Sequence, residues 1–292
     1  AELKPGEAVG MDAAVFSTRA ALTLRAELAA AGIELKYIAD PMTEIWSDRP
    51  AIPQDPIVVH PLRYAGKPTT EKLEEIRRAL VAQGAEAIFV SQLDEIAWTL
   101  NLRGSDVHCN PVFVAYLYIG KEESILFTDA AKIPQETADY LASIPVNVAP
   151  YTEAASKLSG LQGIRLLLDL PKTNAAIYQA ALQGCHLIEQ TSPICLMKSV
   201  KNETEQNGFR EAMIRDGIAM VKFLRWLKPA VERGGETELS IDRKLCALRA
   251  EQSNYRGISF DTIAGYAAHG AIVHYEATPE TDIPLQPKGL LL

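Results

Sequence analysis

The sequence predicts an α/β protein, and three observations carry that prediction. Between Thr69 and Ile194, short apolar runs alternate with helical stretches, the order of a layered sheet-and-helix domain. One of those runs, IRLLLDL (164–170), is continuously apolar, as a strand buried on both faces is. Two others, PVFVAYLYIG and ESILFTD, are joined through Gly120, Lys121, Glu122 and Glu123, which suits a hairpin.

The elements follow in order. Residues 9–38 read as strand, helix, strand, the helix running from Thr18 to Ala31 with Ala20, Ala21, Leu24 and Leu28 on one face and Gly32 as its stop. So small a piece cannot bury its own apolar faces, which marks it as the tail of a larger domain. Prolines at 50, 53, 56 and 61 make the next stretch an extended connector, with no central strand or helix. Thr69 or Thr70 is placed to cap a helix through Gln83, with Leu73, Ile76, Leu80 and Val81 inward and Gly84 ending it. AEAIFVSQ then reads as a strand and LDEIAWTLNL as a short helix or turn. After the hairpin, PQETADYLASI, VNVAPY and TEAASKLSGL read as helix, strand and helix, and a further short helix spans Thr173–Gly184.

The stretch Ile194–Lys201 reads as a boundary. Beyond it, Phe209, Met213, Gly217, Met220, Val221, Leu224 and Leu227 recur at helical spacing in a long amphipathic helix that Pro229 and Gly234-Gly235 should terminate. A second helix covers about Thr237–Gln252. Then comes GISFDTIAGYAAHGAIVHY (257–275), apolar, rich in small residues and carrying two of the chain's five histidines. Alternation of Ile272, His274 and Glu276 with Ala271, Val273 and Tyr275 predicts a strand that projects His274 beside Ile272. Such a histidine is either a satisfied core residue or a working one, and spacing leaves both open. The terminal GLLL reads as the opening of another strand.

Composition narrows the function classes. The chain has 292 residues, 48% hydrophobic and 23% charged, ordinary values for a soluble protein of about two domains. A net charge of -8 argues against nucleic acid, whose phosphates need a basic surface. No run of eighteen apolar residues suits a membrane span, and AELKPGEAVG lacks the parts of a signal peptide. Cys109, Cys185, Cys195 and Cys246 form no CxxC pair, which fits a reducing compartment and makes the cytoplasm the expected location.

Self-contained catalytic motifs are missing: there is no HExxH, GxxxxGK[ST], GxSxG or GxGxxG. His269 and His274 are five apart, which on a strand sets them on opposite faces and disfavours a two-histidine metal clamp. Asp94-Glu95 and Glu122-Glu123 read as solvated turn residues rather than acid/base pairs. Arg103-Gly104-Ser105-Asp106 reads as a charged tight turn, with a ligand-binding loop as the alternative.

Three segments taken together carry a resemblance: LDEIAWTLNLRGSDVHCNPVF (93–113), LMKSVKNETEQNGFREAMIRDGIAMVKFLRWL (196–227) and SFDTIAGYAAHGAIVHYEATPETDIPLQPKGLLL (259–292). They resemble the three-domain cytosolic Xaa-Pro aminopeptidases, the aminopeptidase P family, and IWSDRP (45–50) is similar to the phrase that closes the first domain of those enzymes. The resemblance implies removal of the N-terminal residue of peptides with proline in second position, by two divalent metal ions, expected to be manganese, in a pita-bread catalytic domain. It implies a homodimer, with no nucleic-acid or membrane partner. It casts 1–66 as the end of domain I, 69–194 as domain II with the creatinase N-domain fold, and 198–292 as the first part of the catalytic domain.

The family's metal ligands are two aspartates, a histidine and two glutamates, the first in a DSG-type phrase following a segment like GLLL. None of the five matches a position here, and Asp261 and Asp282 align elsewhere. This chain is therefore expected to be inactive and metal-free by itself. The resemblance makes His274 the catalytic and substrate-binding residue, a donor to the peptide near its scissile bond. It leaves His269 and Arg103 without a role. A non-catalytic peptide-binding or dimerisation scaffold, or another pita-bread hydrolase such as a metal-dependent dipeptidase, stands as the alternative.

Overall fold

The computed structural model describes residues 3–292, which divide into two compact units after Asn202. The first is an α/β layer structure. Its sheet contains β4 (Ala87–Val90), β6 (Tyr116–Ile119), β7 (Ser124–Phe127), β8 (Asn147–Ala149), β9 (Arg165–Leu168) and β10 (His186–Glu189). Their spatial order is β10-β9-β4-β6-β7-β8. Neighbours β10 and β9, β9 and β4, and β7 and β8 run parallel, while β4–β6 and the hairpin β6–β7 are antiparallel.

Period-two alternation explains why helices cover both faces of this sheet. Ile88, Val90, Leu117, Ile119 and Leu167 share one core with Leu73, Ile76 and Leu80 of α3 (Thr69–Ala82) and Ile96 and Leu100 of α4 (Leu93–Leu100). Ala87, Phe89, Tyr118, Leu166 and Leu168 share the other with Leu158 of α6 (Ala154–Ser159) and Ile177 of α7 (Ala175–Ala181). IRLLLDL is buried on both faces for this reason.

The first strand-helix-strand piece is β1 (Ala8–Asp12), α1 (Thr18–Ala30) and β2 (Glu34–Ile38), with β1 and β2 parallel. It docks on α7: Met11, Ala21, Leu35 and Ala175 form a small core, and Ala175 N–H and Ala176 N–H donate to the carbonyls of Phe16 and Ala13. The connector is irregular apart from a 3-10 turn (Pro41–Thr43), the two-residue β3 (Val58–Val59), which pairs with β5 (Leu102–Arg103), and α2 (Leu62–Ala65). The expected helix PQETADYLASI is α5 (Gln135–Ala142).

Several expectations are corrected. Pro68, not a threonine, occupies the N-cap of α3; Thr69 is buried, its hydroxyl 2.8 Å from Tyr140 Oη. The edge strand β10 was not read from HLIE, whose two apolar residues carry too weak a pattern. The stretch expected as a boundary holds a short helix, α8 (Pro193–Ser199), capped by Ser192, and the division between the two units falls just after it, at Asn202.

The second unit opens with α9 (Glu203–Arg233), which runs through Pro229 instead of stopping there. Its end comes at Gly234 and Gly235, both with positive φ, where Pro229 costs the helix one internal hydrogen bond but not the last turn. The stripe expected to face inward is largely exposed: Phe209, Met213, Val221 and Leu224 are all more than half accessible. The buried side is instead Ala219, Phe223, Ala230 and Val231, and all but Ala230 cluster with Ile241, Leu245 and Leu248 of α10 (Glu238–Ala250). Thr237 caps α10 in a capping box with Ser240.

Residues 257–275 do not form a strand. A 3-10 turn occupies Ala267–Ala271, and His274 lies in a turn with φ +55°. The terminal GLLL contributes a single antiparallel bridge, Tyr266 to Leu291, rather than a strand. A period-two pattern specifies a strand only where a partner strand is available to take up its backbone groups, and none pairs here.

Candidate functional site

The loop that carries His274 is organised by one carboxylate. Glu238 is the first residue of α10, where an acid is favoured by the helix dipole, and Thr237 fixes that end by accepting from Ser240 N–H at 3.2 Å. Glu238 is nonetheless completely buried. Its Oε1 accepts from Tyr266 N–H at 2.7 Å and its Oε2 from the Tyr275 hydroxyl at 2.8 Å. His269 Nδ1 lies 3.0 Å from both oxygens; an ionised carboxylate only accepts, so His269 presents Nδ1–H there. The His269 and Tyr275 rings pack at 4.6 Å between centroids, and burial pushes the Tyr275 hydroxyl up from its ordinary range.

His274 itself is exposed, as are Ile272 and Val273 beside it. The expectation that strand alternation directs its imidazole is therefore replaced: a left-handed turn directs it, next to the anchored Tyr275. Within residues 203–292 His274 is thus not a core residue. His269, left without a role by the resemblance, is the half-buried one and faces the carboxylate. Glu238 was missed because TEL at a helix start reads as ordinary capping chemistry. Its complete burial follows from the 266–275 segment folding over it, which no local pattern signals.

Carboxylates nearby are already engaged. Asp282 Oδ1 accepts from Leu239 N–H at 3.0 Å, Asp242 from the Cys246 thiol at 3.3 Å, and Asp216 pairs with Arg249 at 2.7 Å. A pocket of about 100 Å³ between α10 and the loop, lined in part by Glu238, Asp242, Thr262 and Glu276, is too small for a peptide. Within residues 203–292, among those described, no three His, Cys, Asp or Glu side chains bring their ligand atoms within metal-binding reach of one another. With Glu238 buried and engaged by three neighbouring groups, the residues present do not fit a two-metal group.

In the first unit the charged turn is structural. Arg103 Nη1 donates to the carbonyls of Ala97 and Leu102, and Asp106 forms a fully buried ion pair with Lys132 while accepting from Val114 N–H at 2.5 Å. The pair Asp94-Glu95 is not a solvated turn. Asp94 bonds Lys198 at 2.7 Å, and Glu95 is buried, accepts from the Ser192 hydroxyl at 2.6 Å and is pushed up to about 7 by that burial, with Asp94 and Asp169 adding to it.

Comparison with known proteins places this geometry. Residues 48–205 match the creatinase/prolidase N-terminal domain, and residues 207–292 match metallopeptidase family M24. Aminopeptidase P2 of Arabidopsis thaliana is 34% identical over 99% of this chain and 46% of its own length. Xaa-Pro aminopeptidase 1 of Dictyostelium discoideum is 36% identical over 97% of this chain and 47% of its own. The X-prolyl aminopeptidase of Caenorhabditis elegans, described as a cytosolic enzyme with a di-nuclear active site, superposes with a TM-score of 0.90 at 28% identity, covering 98% of this chain and 48% of that one. The chain spans about half the length of the curated relatives it matches. It belongs to the creatinase/prolidase N-terminal domain family, with metallopeptidase family M24 sequence following that domain.

Proposed function

We propose that this chain is a portion of an Xaa-Pro aminopeptidase, acting on peptides with proline in second position when joined to the remainder of an M24 domain. One observation carries the reading: likeness to relatives described as aminopeptidase P or Xaa-Pro aminopeptidase covers 97–99% of the chain and so both units, at 34–36% identity. In this reading residues 1–66 close a first domain, 69–194 form a second, and 198–292 begin the catalytic domain. His274 is its catalytic and substrate-binding residue. Exposed beside a firmly held tyrosine, its imidazole is free to donate to a peptide oxygen as charge develops there.

Two metal ions, proposed to be manganese, would draw their ligands from outside these 292 residues. Such ions would supply Lewis-acid polarisation of a peptide carbonyl and an activated water. Homodimerisation and a cytosolic location complete the proposal; no helix among the described residues is long and apolar enough to cross a membrane. A chimera joining residues 1–292 to the C-terminal half of the Dictyostelium relative tests the activity. It should release the first residue from Xaa-Pro peptides but not from Xaa-Ala counterparts, with residues 1–292 alone inert. Equal turnover of both peptide classes would contradict the reading, as would a folded, metal-loaded chimera without turnover. Activity after reconstitution with each divalent metal, and light scattering of the chimera, check manganese and the dimer.

A further inference from the structure

Two non-glycine residues of the 266–275 loop adopt left-handed backbone conformations, Ala267 at φ +52° and His274 at φ +55°. Such conformations are unfavourable for side-chain-bearing residues and persist only where surrounding contacts determine them. The residue directly before the first is Tyr266 and the residue directly after the second is Tyr275. Both are held by Glu238, the first through its backbone N–H and the second through its hydroxyl. Between them His269 donates to the same carboxylate. One buried side chain thus grips both ends and the middle of the segment whose last turn points His274 outward.

Other contacts stabilise the neighbourhood without fixing that turn. The Tyr266 hydroxyl donates to Lys288 C=O at 2.5 Å, Ala267 N–H to Leu290 C=O and Leu292 N–H to Gly265 C=O, all at the Tyr266 end. At the His274 end the tie is the Tyr275 hydroxyl, 2.8 Å from Glu238 and 3.4 Å from Thr281 Oγ1. The position of His274 therefore depends on Glu238 more than that of any other part of the loop.

We propose that Glu238 is the positioning residue of the His274 loop, holding Tyr266, His269 and Tyr275 so that the left-handed turn at His274 sets the direction of its imidazole. The assignment rests on the aminopeptidase reading for what the imidazole does, but the clasp itself is testable in this chain without any activity. His269, in this view, is a strut and not a ligand or a base. A carboxylate is required because three donors converge on two oxygens; an amide of the same shape would turn an N–H toward one of them.

Hydrogen–deuterium exchange on residues 1–292 compares the parent with Glu238→Gln, Tyr275→Phe and His269→Ala. Glu238→Gln should speed exchange of amides 266–276 by about 10-fold or more, while amides of 219–231 and 241–248 keep their protection. Tyr275→Phe should loosen 272–276 selectively. Unchanged exchange at 266–276, or loss of protection spread evenly over 203–292 in the variants that fold, would overturn the clasp. If Glu238→Gln does not fold, Tyr275→Phe and His269→Ala decide by the same criterion. In the active chimera, Glu238→Gln should lower kcat with KM and metal content retained, and should have no further effect when His274 is already alanine. Additive losses in that double variant would overturn the positioning role, because a scaffold residue acts independently of His274. If the chimera is inactive, the aminopeptidase reading fails, and the exchange pattern still decides the clasp.

Discussion

The two units hold their shapes by different means. In residues 1–202, β4 and β7 are buried throughout and β6 and β9 in all but their first residue, and apolar side chains alternate between two cores. In residues 203–292 only α9 and α10 are α-helical, and residues 251–292 carry a 3-10 turn and isolated bridges in place of a ladder. There a smaller apolar core on α9 and α10 takes in, as buried residues, only Ala264, Tyr266 and Leu285 of that region, and the loop between them is tied by a few polar groups, foremost the buried Glu238. Apolar alternation distributes stability over many residues, so no single contact dictates the result. A polar clasp concentrates it, which makes the attached loop both well defined and sensitive to one substitution.

Substitutions that break this contrast should differ in size. The largest effect is expected where the first unit itself relies on a buried polar pair. Lys132→Met leaves the Asp106 carboxylate buried without its cation and should destabilise the first unit by about 3–5 kcal/mol. Adding Asp106→Asn should recover much of that loss, because the uncompensated charge is then gone. Urea unfolding followed by amide exchange in β4, β6 and β9 measures both; a loss below about 1 kcal/mol for Lys132→Met would mean that the pair is dispensable.

Glu95 should produce a smaller, pH-dependent effect. Burial raises its carboxyl to about 7 in the folded chain, against 4.5 as its ordinary value. Between those values the unfolded chain releases its proton first, so the folded state binds more protons and stability falls as pH rises. The fall amounts to at most about 3 kcal/mol and levels off above neutrality. Glu95→Gln, which can still accept from Ser192, should therefore be more stable than the parent at pH 8 and equal to it near pH 4. A variant less stable than the parent at pH 8 would show the charge to be compensated. Smaller again is the cap of α10: Thr237→Ala should cost about 1 kcal/mol, read from exchange of the first-turn amides of α10.

The same contrast explains what could be read from the sequence. The sheet and its helices were legible because Ile88 and Val90 against Phe89, or Leu166 and Leu168 against Leu167, state two buried faces locally. The hairpin turn was legible because its chemistry is contiguous. The strand expected over 271–276 was an imitation of period two by residues with no partner strand. The stripe on α9 was a real stripe, but periodicity says that a face is apolar and not whether anything covers it. Asp94-Glu95 was misread because Glu95 is buried and bonded to Ser192, 97 positions away in the chain. Glu238 was missed on similar grounds, since its partners lie 28 to 37 positions further on.

The most direct test of the account is His274→Ala, measured in two settings. In residues 1–292 the substitution removes an exposed side chain from a left-handed turn, and the melting temperature should stay within the small range of surface changes. In the active chimera, kcat should fall about 10²–10³-fold with metal content retained and a smaller change in KM, as expected when a fixed donor to developing charge is removed. A preserved kcat together with a collapsed melting temperature would contradict the account and make His274 a structural residue.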